Sequence, residues 1–450
     1  MAVLRKSNIE RKKYYPIIMY ILVLSTFLNQ SLLSINAGFF HLFLYRVVLL
    51  AAAALFIFHI MREKNLQQYW NRTNVKGVLL FLVFWLSYGA ISLLWAKSII
   101  EGIKALFLLG LGISFVFLAV FTFTRMTHLF WYYGIWLVMT VILLMIGMMN
   151  HFTQIQLPTS NLYGAAEYKR SYPTAVFFNQ NDFATFLTIS FFFYLSLTKN
   201  SRQVWLKTSG LLLAILCVVT IYWTESRASL LGVGFGLIAY IYILLPKVFK
   251  KITALIGTAA FILAAFVFSG KAAEKIVGLI NASDIYLNNE VLPSNIARIN
   301  LLKNTIYFFV ESFGFGVGAG NIPFYLKNES IYATNQVVEV HNWLAEIMGN
   351  YGIFVLLGYV TMYAVLFYRL YQLYQRKISR KHNVLLEAGM LGMVGFLVSS
   401  ISPSSVSNLF FHWVFLGFVI SIVSVFAGAN KREQGLAAKE KVSNDCDAKD

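Results

Sequence analysis

The chain has 450 residues, 58% of them hydrophobic and 12% charged, with a mean hydropathy of +0.67 and a formal net charge of +18. Soluble domains carry roughly 25% charged residues, so a soluble globular fold is excluded. Continuous apolar runs, rather than alternating ones, exclude a membrane β-barrel, and 37 Lys and Arg dispersed among connectors, with no aromatic-interleaved patch, exclude a nucleic-acid partner.

A run of about 20 apolar residues crosses a hydrocarbon core of roughly 30 Å. Such runs predict twelve spans, at residues 15–33, 38–60, 77–95, 103–123, 129–149, 183–197, 204–223, 230–245, 252–269, 343–367, 384–401 and 409–426. The sixth and eighth are short and are either tilted, broken or extended into their flanks. The basic head and first apolar run lack a small-residue cleavage site and read as a retained first helix. The fold class is therefore all-α, a polytopic transmembrane helical bundle. It divides into an N-terminal bundle of about nine spans (1–269), an extracytoplasmic segment (270–342), C-terminal helices (343–428) and a polar, disordered cytoplasmic tail (429–450). Cys217 lies in a span and Cys446 in the tail, so no disulfide framework is expected.

With the N-terminus cytoplasmic, 26 Lys and Arg fall on inner connectors and ten on outer ones, the asymmetry of a plasma-membrane protein with both termini inside. A cysteine placed at Asn328 is expected to be labelled from outside, and one at Ser379 to be protected. Labelling at Ser379 alone would reverse the orientation.

Two outer segments are long, 150–174 and 270–340. In the second, Pro293-Ser294-Asn295 offers a helix start. Ile296, Ile299, Leu302, Ile306 and Phe309 then recur at helical spacing, with Arg298, Asn300, Lys303 and Asn304 opposite. This predicts an amphipathic helix lying over the membrane surface as a lid. It ends near Gly314-Phe315-Gly316-Val317-Gly318-Ala319-Gly320-Asn321. Gly314, Gly316 and Ala319 fit a dinucleotide fingerprint, but the βαβ unit that the fingerprint requires is missing. A tight turn back towards the membrane is the better reading.

Four side chains carry the chemistry. Arg46 is expected roughly 12 Å below the outer end of its span, from a rise of 1.5 Å per residue. A charge so placed faces a cavity or bundle interior, as a phosphate contact or a structural ion pair. Arg227, in Thr224-Glu225-Ser226-Arg227-Ala228-Ser229, either pairs with Glu225, reaches headgroups, or binds an anion through its fork of donors. The helix after it carries Gly232 and Gly236 at the spacing that permits close packing. Arg298, expected in the first turn of its helix, either faces solvent or binds an anion there. His341 is an interfacial histidine or a general base, its ordinary pKa near 6.5 suiting proton acceptance at neutral pH. The outer segments contain no D-x-D and no cluster with metal-ligand spacing, so neither a metal nor a cofactor is expected.

Ser226-Arg227-Ala228-Ser229, Arg298 with Gly316-Val317-Gly318-Ala319-Gly320-Asn321, and His341-Asn342-Trp343-Leu344 leading to Gly349-Asn350-Tyr351-Gly352 resemble the O-antigen ligase and polymerase superfamily, the WaaL/Wzy-type proteins. Phe178-Asn179-Gln180-Asn181-Asp182 is similar to that family's asparagine-containing segment, though here it continues into Asp182 and Phe183. The resemblance covers roughly residues 173–358. It implies a membrane glycosyltransferase of GT-C type. The donor would be a glycan on a polyprenyl diphosphate, the acceptor a glycan or lipid-linked molecule, and transfer metal-independent and inverting on the outer membrane face. By position, Arg227 and Arg298, with Arg46 as a further contact, would hold the diphosphate. His341 would activate the acceptor hydroxyl, with Asn179, Asn181, Glu225 and Asn342 in support. The Gly-Val-Gly-Ala-Gly-Asn form is similar to teichuronic-acid and capsule polymerase members, which favours polymerisation over ligation. The alternative is a flippase of lipid-linked oligosaccharide. Against it, the halves show no repeat and the polar features gather on one face, whereas transporter sites lie near the midplane.

Overall fold

A backbone in hydrocarbon satisfies its own N–H and C=O groups, and a helix does so locally. The apolar runs accordingly fold as helices. The structure, a computed structural model, describes residues 15–28, 35–36, 41–253, 255–259, 262–263, 292–376 and 379–447. A short helix α1 (Tyr15–Thr26) comes first. An antiparallel ladder of two residues a side follows, β1 (Ile35–Asn36) on β2 (His41–Leu42), with Ile35 opposite Leu42. Then come α2 (Leu44–Glu63), α3 (Leu66–Arg72), α4 (Lys76–Ile91), α5 (Ile99–Thr122), α6 (Met126–Thr153), α7 (Glu167–Arg170), α8 (Gln180–Asn200), α9 (Val204–Trp223) and α10 (Arg227–Leu244). The C-terminal part holds α11 (Ser294–Glu311), α12 (Ile322–Asn328), α13 (Trp343–Gln375), α14 (Arg380–Ser399) and α15 (Phe410–Asp447).

Among the described residues, nine helices are long and apolar enough to cross a membrane: α2, α4 with its 3-10 extension to Leu94, α5, α6, α9, α10, α13, α14 and the Phe410–Gly428 part of α15. The short sixth run resolves as α8, 21 residues long, extended through polar flanks on both sides. The run expected at 252–269 falls largely outside the described residues, as do 264–291 of the outer segment. The final helix continues through Asp447, where a disordered tail was expected. Lys431-Arg432-Glu433-Gln434 and Leu436-Ala437-Ala438-Lys439-Glu440-Lys441 are good helix formers, which gives that stretch a local reason to continue.

Between helices in lipid, close packing does what apolar burial does in water. Its core here is the apolar part of α15, where Trp413, Val414, Phe415 and Phe418 are buried. The α10 glycines behave as their spacing predicts: a Cβ at Gly232 would stand 2.7 Å from the Gly395 carbonyl of α14, and one at Gly236 would strike the Phe192 ring of α8.

The outer segment departs from expectation in its facing. Asn300 and Asn304, placed on the solvated side of α11, are fully buried. The Asn300 amide donates to the Ala333 carbonyl at 2.7 Å. Asn304 donates to the Tyr332 carbonyl at 2.8 Å and accepts from the Ile331 and Tyr332 amides. Conversely Ile306 is exposed. A buried asparagine is stable once its amide is satisfied, and the irregular 331–333 backbone supplies the partners that apolar periodicity does not anticipate.

The glycine run ends this segment in a lock. The Val317 and Gly318 amides donate to the carbonyls of Gly349 and Asn350, and the Ile353 amide donates to Gly314. These contacts enter a break in α13, where Gly352 has φ 76° and ψ −171°, a conformation essentially confined to glycine. A Cβ at Gly352 would collide with the Gly314 carbonyl and Phe315, and one at Gly316 would lie 2.6 Å from the Gly352 nitrogen. The break separates a short helix, Trp343–Tyr351, from the long span that follows. Gly352→Ala is expected to cost at least about 1–3 kcal/mol, read as a lower melting temperature of the detergent-solubilised protein. An unchanged melting temperature would remove the lock from the account.

Candidate functional site

Three helix starts meet at one end of the bundle, and each follows a non-glycine residue with positive φ. Ala175 (φ 48°) precedes α8, Glu225 (φ 56°) precedes α10 and His341 (φ 53°) precedes α13. Left-handed backbone at such residues costs about 1–3 kcal/mol and persists where surrounding contacts hold it. Ala175 is held by Asn150, whose Oδ1 accepts from its amide at 2.8 Å, while the starts of α8, α10 and α13 are joined by the connector 401–408, Ile-Ser-Pro-Ser-Ser-Val-Ser-Asn, between α14 and α15.

Each site segment is bonded to this serine loop. His341 Nδ1 lies 3.2 Å from the carbonyl oxygens of both Ser402 and Pro403. Carbonyls only accept, so Nδ1 carries the proton and Nε2 keeps its lone pair. Asn181 Oδ1 accepts from the Ser402 hydroxyl at 2.8 Å, and the Ser226 and Ser402 hydroxyls lie 3.2 Å apart. The Asn179 amide donates to Ser404 Oγ at 2.6 Å, while its Oδ1 caps α8 by accepting from the Asn181 and Asp182 amides at 2.9 Å. Asn342 caps α13 through the Ala345 amide at 3.1 Å, and the Trp343 amide donates to the Ser400 carbonyl. Glu346, one turn into α13, accepts from the Ser405 and Ser407 hydroxyls, each at 2.7 Å, and from the Val406 amide.

Electrostatics joins Arg298 to His341. Burial first, then the Arg298 charge, hold the imidazole below its ordinary 6.5, against the opposing influence of Glu339. Arg298 is half-buried and its own pKa is lowered by burial, as befits a cation kept partly out of water. It is the fifth residue of α11 and so opens the second turn rather than lying in the first. Arg227 is exposed at the first position of α10, joined to the cluster through its cap residue Ser226. Among the described residues it forms no salt bridge with Glu225. Glu225 instead takes the Tyr172 hydroxyl, whose pKa is raised by burial and then by that carboxylate.

Arg46 has a different set of neighbours. The helix that carries it begins at Leu44, so Arg46 stands in the first turn of α2 and not 12 Å within it; residues 41–42 are already strand. It is buried, with its guanidinium 4.8 Å from the Phe43 ring centre and 5.4 Å from that of Phe410. That is cation–π geometry.

Beside the cluster lies a cavity of about 260 Å³, lined among others by Glu101, Lys104, Glu339, Glu346, Ser404 and Ser407. Its wall of carboxylates and hydroxyls offers hydrogen bonds to a polyol. The serine loop, Asp182 and Glu346 extend the site beyond the residues expected from sequence. Asp182 is buried, accepts from the Ser404 amide and keeps one oxygen without a hydrogen-bond partner. A run of four serines and a proline between two apolar spans was the available signal.

Comparison with known proteins bears on what this cluster does. Residues 211–360 match the family described as O-antigen ligase (Wzy_C), a stretch that holds Arg227, Arg298 and His341. Over 416 residues, 92% of this chain and 85% of the other, the sequence is 49% identical to the teichuronic acid biosynthesis protein TuaE of Bacillus subtilis (strain 168).

Proposed function

Because the chain belongs to the O-antigen ligase family, multi-pass membrane proteins of cell-surface polysaccharide polymerisation and ligation, we propose that it polymerises a glycan carried on a polyprenyl diphosphate at the outer face of the plasma membrane. Polymerisation is preferred to ligation because the extensive relative is a teichuronic acid biosynthesis protein. The observation that carries the mechanism is the imidazole held at Nδ1 by the two serine-loop carbonyls, with no hydrogen bond to Nε2 among the described residues and Arg298 within electrostatic reach.

In this reading an acceptor hydroxyl, seated in the cavity beside the serine loop, gives its proton to His341 Nε2 as its oxygen attacks the anomeric carbon. The bond from that carbon to the diphosphate oxygen breaks, and the electron pair leaves with the diphosphate. Arg227 and Arg298 stabilise the departing charge, an effect enlarged where water is sparse, and Arg46 is the further contact. One displacement inverts the anomeric centre. The 292–340 segment limits water that would otherwise hydrolyse the donor. Asn179 and Asn181 hold the serine loop in register, and Asn342 sets the start of the helix behind the base.

The test is a reconstituted assay with lipid-diphosphate donor, read for product length and for pH. A ladder of products is expected, unaffected by EDTA. The imidazole must be neutral to accept a proton, and its pKa lies below the ordinary 6.5. Activity is therefore expected to hold at pH 7 and to fall on the acid side, with a midpoint below pH 6.5. A strict divalent-ion requirement, or an acid limb unaltered by replacing His341, would reject the mechanism.

A further inference from the structure

The helices that converge on His341 diverge in sequence at their other ends, and there they enclose a second cavity. It lies where α8 ends, α10 ends, α13 ends and α14 begins, with a volume of about 1340 Å³. Its described lining includes five cations, Lys199, Lys207, Lys247, Lys250 and Arg380, and no carboxylate. Lys199 is offset from below: it lies 2.7 Å from the fully buried Glu387, which also accepts from Asn200 at 2.8 Å. Among the described residues the other four have no carboxylate within salt-bridge distance. Four cations without a carboxylate partner among the described residues thus line one concavity, drawn from the starts of α9 and α14 and from the stretch after α10. The wall is amphipathic, with Ile243, Leu244 and Leu245 on one side and the Tyr371 and Tyr374 rings on the other. Lys250 bonds the Tyr371 hydroxyl at 3.3 Å and lies over its ring, fixing one ammonium at the rim. The Asn383 Oδ1 at this site is buried without a partner.

We propose that this cavity binds a phosphate anion, supplied as the headgroup of an anionic phospholipid from the leaflet opposite the His341 site. Cations gathered between spanning helices at headgroup depth match phosphate charge, and the adjoining aliphatic wall accepts the start of an acyl chain. A cavity of this size lined by cations and no described carboxylate is more than a packing defect of the bundle, because like charges around one concavity repel and an anion between them relieves that repulsion. A bound lipid there would tie α8, α10, α13 and α14 together at the end away from the chemistry.

The experiment uses the full chain, purified in detergent, with phosphatidylglycerol, phosphatidylcholine or inorganic phosphate added. Retention is read by native mass spectrometry and stability by melting temperature. Phosphatidylglycerol is expected to be retained and to raise the melting temperature, with little effect from the other two. The rim variant Lys247→Gln/Lys250→Gln is expected to weaken phosphatidylglycerol binding at least about tenfold. The control Arg62→Gln/Arg72→Gln, which removes two exposed cations of the same expected membrane face outside the cavity, should bind as wild type. Equal retention of phosphatidylcholine, equal loss in the control, or no loss in the rim variant would overturn the site. An equal effect of inorganic phosphate would assign a free anion and overturn the lipid source.

Discussion

His341→Ala is expected to lower turnover by about 10²–10⁴-fold, the usual contribution of a positioned general base, while donor binding stays within a few-fold of wild type. The division follows from the geometry. The imidazole is held by carbonyls of the serine loop, so its removal takes away a proton acceptor and leaves the arginines in place. His341→Gln separates shape from basicity: an amide can still donate to the Ser402 and Pro403 carbonyls, yet it offers no basic nitrogen to a hydroxyl. Both variants should therefore lose turnover to a similar degree, and the glutamine variant should keep the wild-type melting temperature more closely. A single-turnover assay with pre-bound donor reads the chemical step directly. Wild-type turnover by either variant would remove the base from His341.

Arg298→Ala is expected to reduce transfer by about 10²–10³-fold, the range for deleting one group that stabilises a developing charge. Arg227→Ala should fall in the same range if its exposed guanidinium swings onto the diphosphate. Lysine at either position should rescue only partly, since a point charge does not reproduce the bidentate fork. The two arginines differ in one measurable respect. Arg298 helps to hold the His341 pKa down, so residual activity of Arg298→Gln should show its acid limb moved to higher pH. Arg227→Gln should leave the limb where it was. Full activity of both alanine variants would dispose of the clamp, and identical pH profiles would dispose of the coupling between Arg298 and the imidazole.

Much of this was legible in one-dimensional pattern because a bilayer imposes length and composition on each helix separately. Eleven of the twelve expected runs coincide with helices in the described residues. Their long-range partners were not legible. Arg46 was placed too deep because a mostly apolar run was equated with a helix: His41 and Leu42 within it pair as strand, and the helix begins at Leu44. Asn300 and Asn304 were read as solvated because an amide looks polar in sequence whether or not a backbone partner lies 33 or 28 residues away. The α13 break was written as Gly352 yet hidden within a continuous apolar span. For the site, His341, Arg298 and the asparagines stood out as polar groups near expected helix ends. The serine loop did not, because hydroxyls are ordinary in a connector. Only the fold shows that Ser402 serves His341, the α8 start and the α10 start together.

The placement of that loop also sets the order in which the molecule matures. His341 is oriented by carbonyls 61 and 62 residues further along the chain, in the connector that precedes the final span. While the polypeptide is being threaded into the membrane, the arginines and the imidazole are delivered before anything can aim the imidazole. Ser402 and Pro403 are followed by α15, whose apolar part is buried in the middle of the bundle. A chain that stops short of residue 402 thus carries Arg227, Arg298 and His341 and lacks both carbonyls that hold the imidazole.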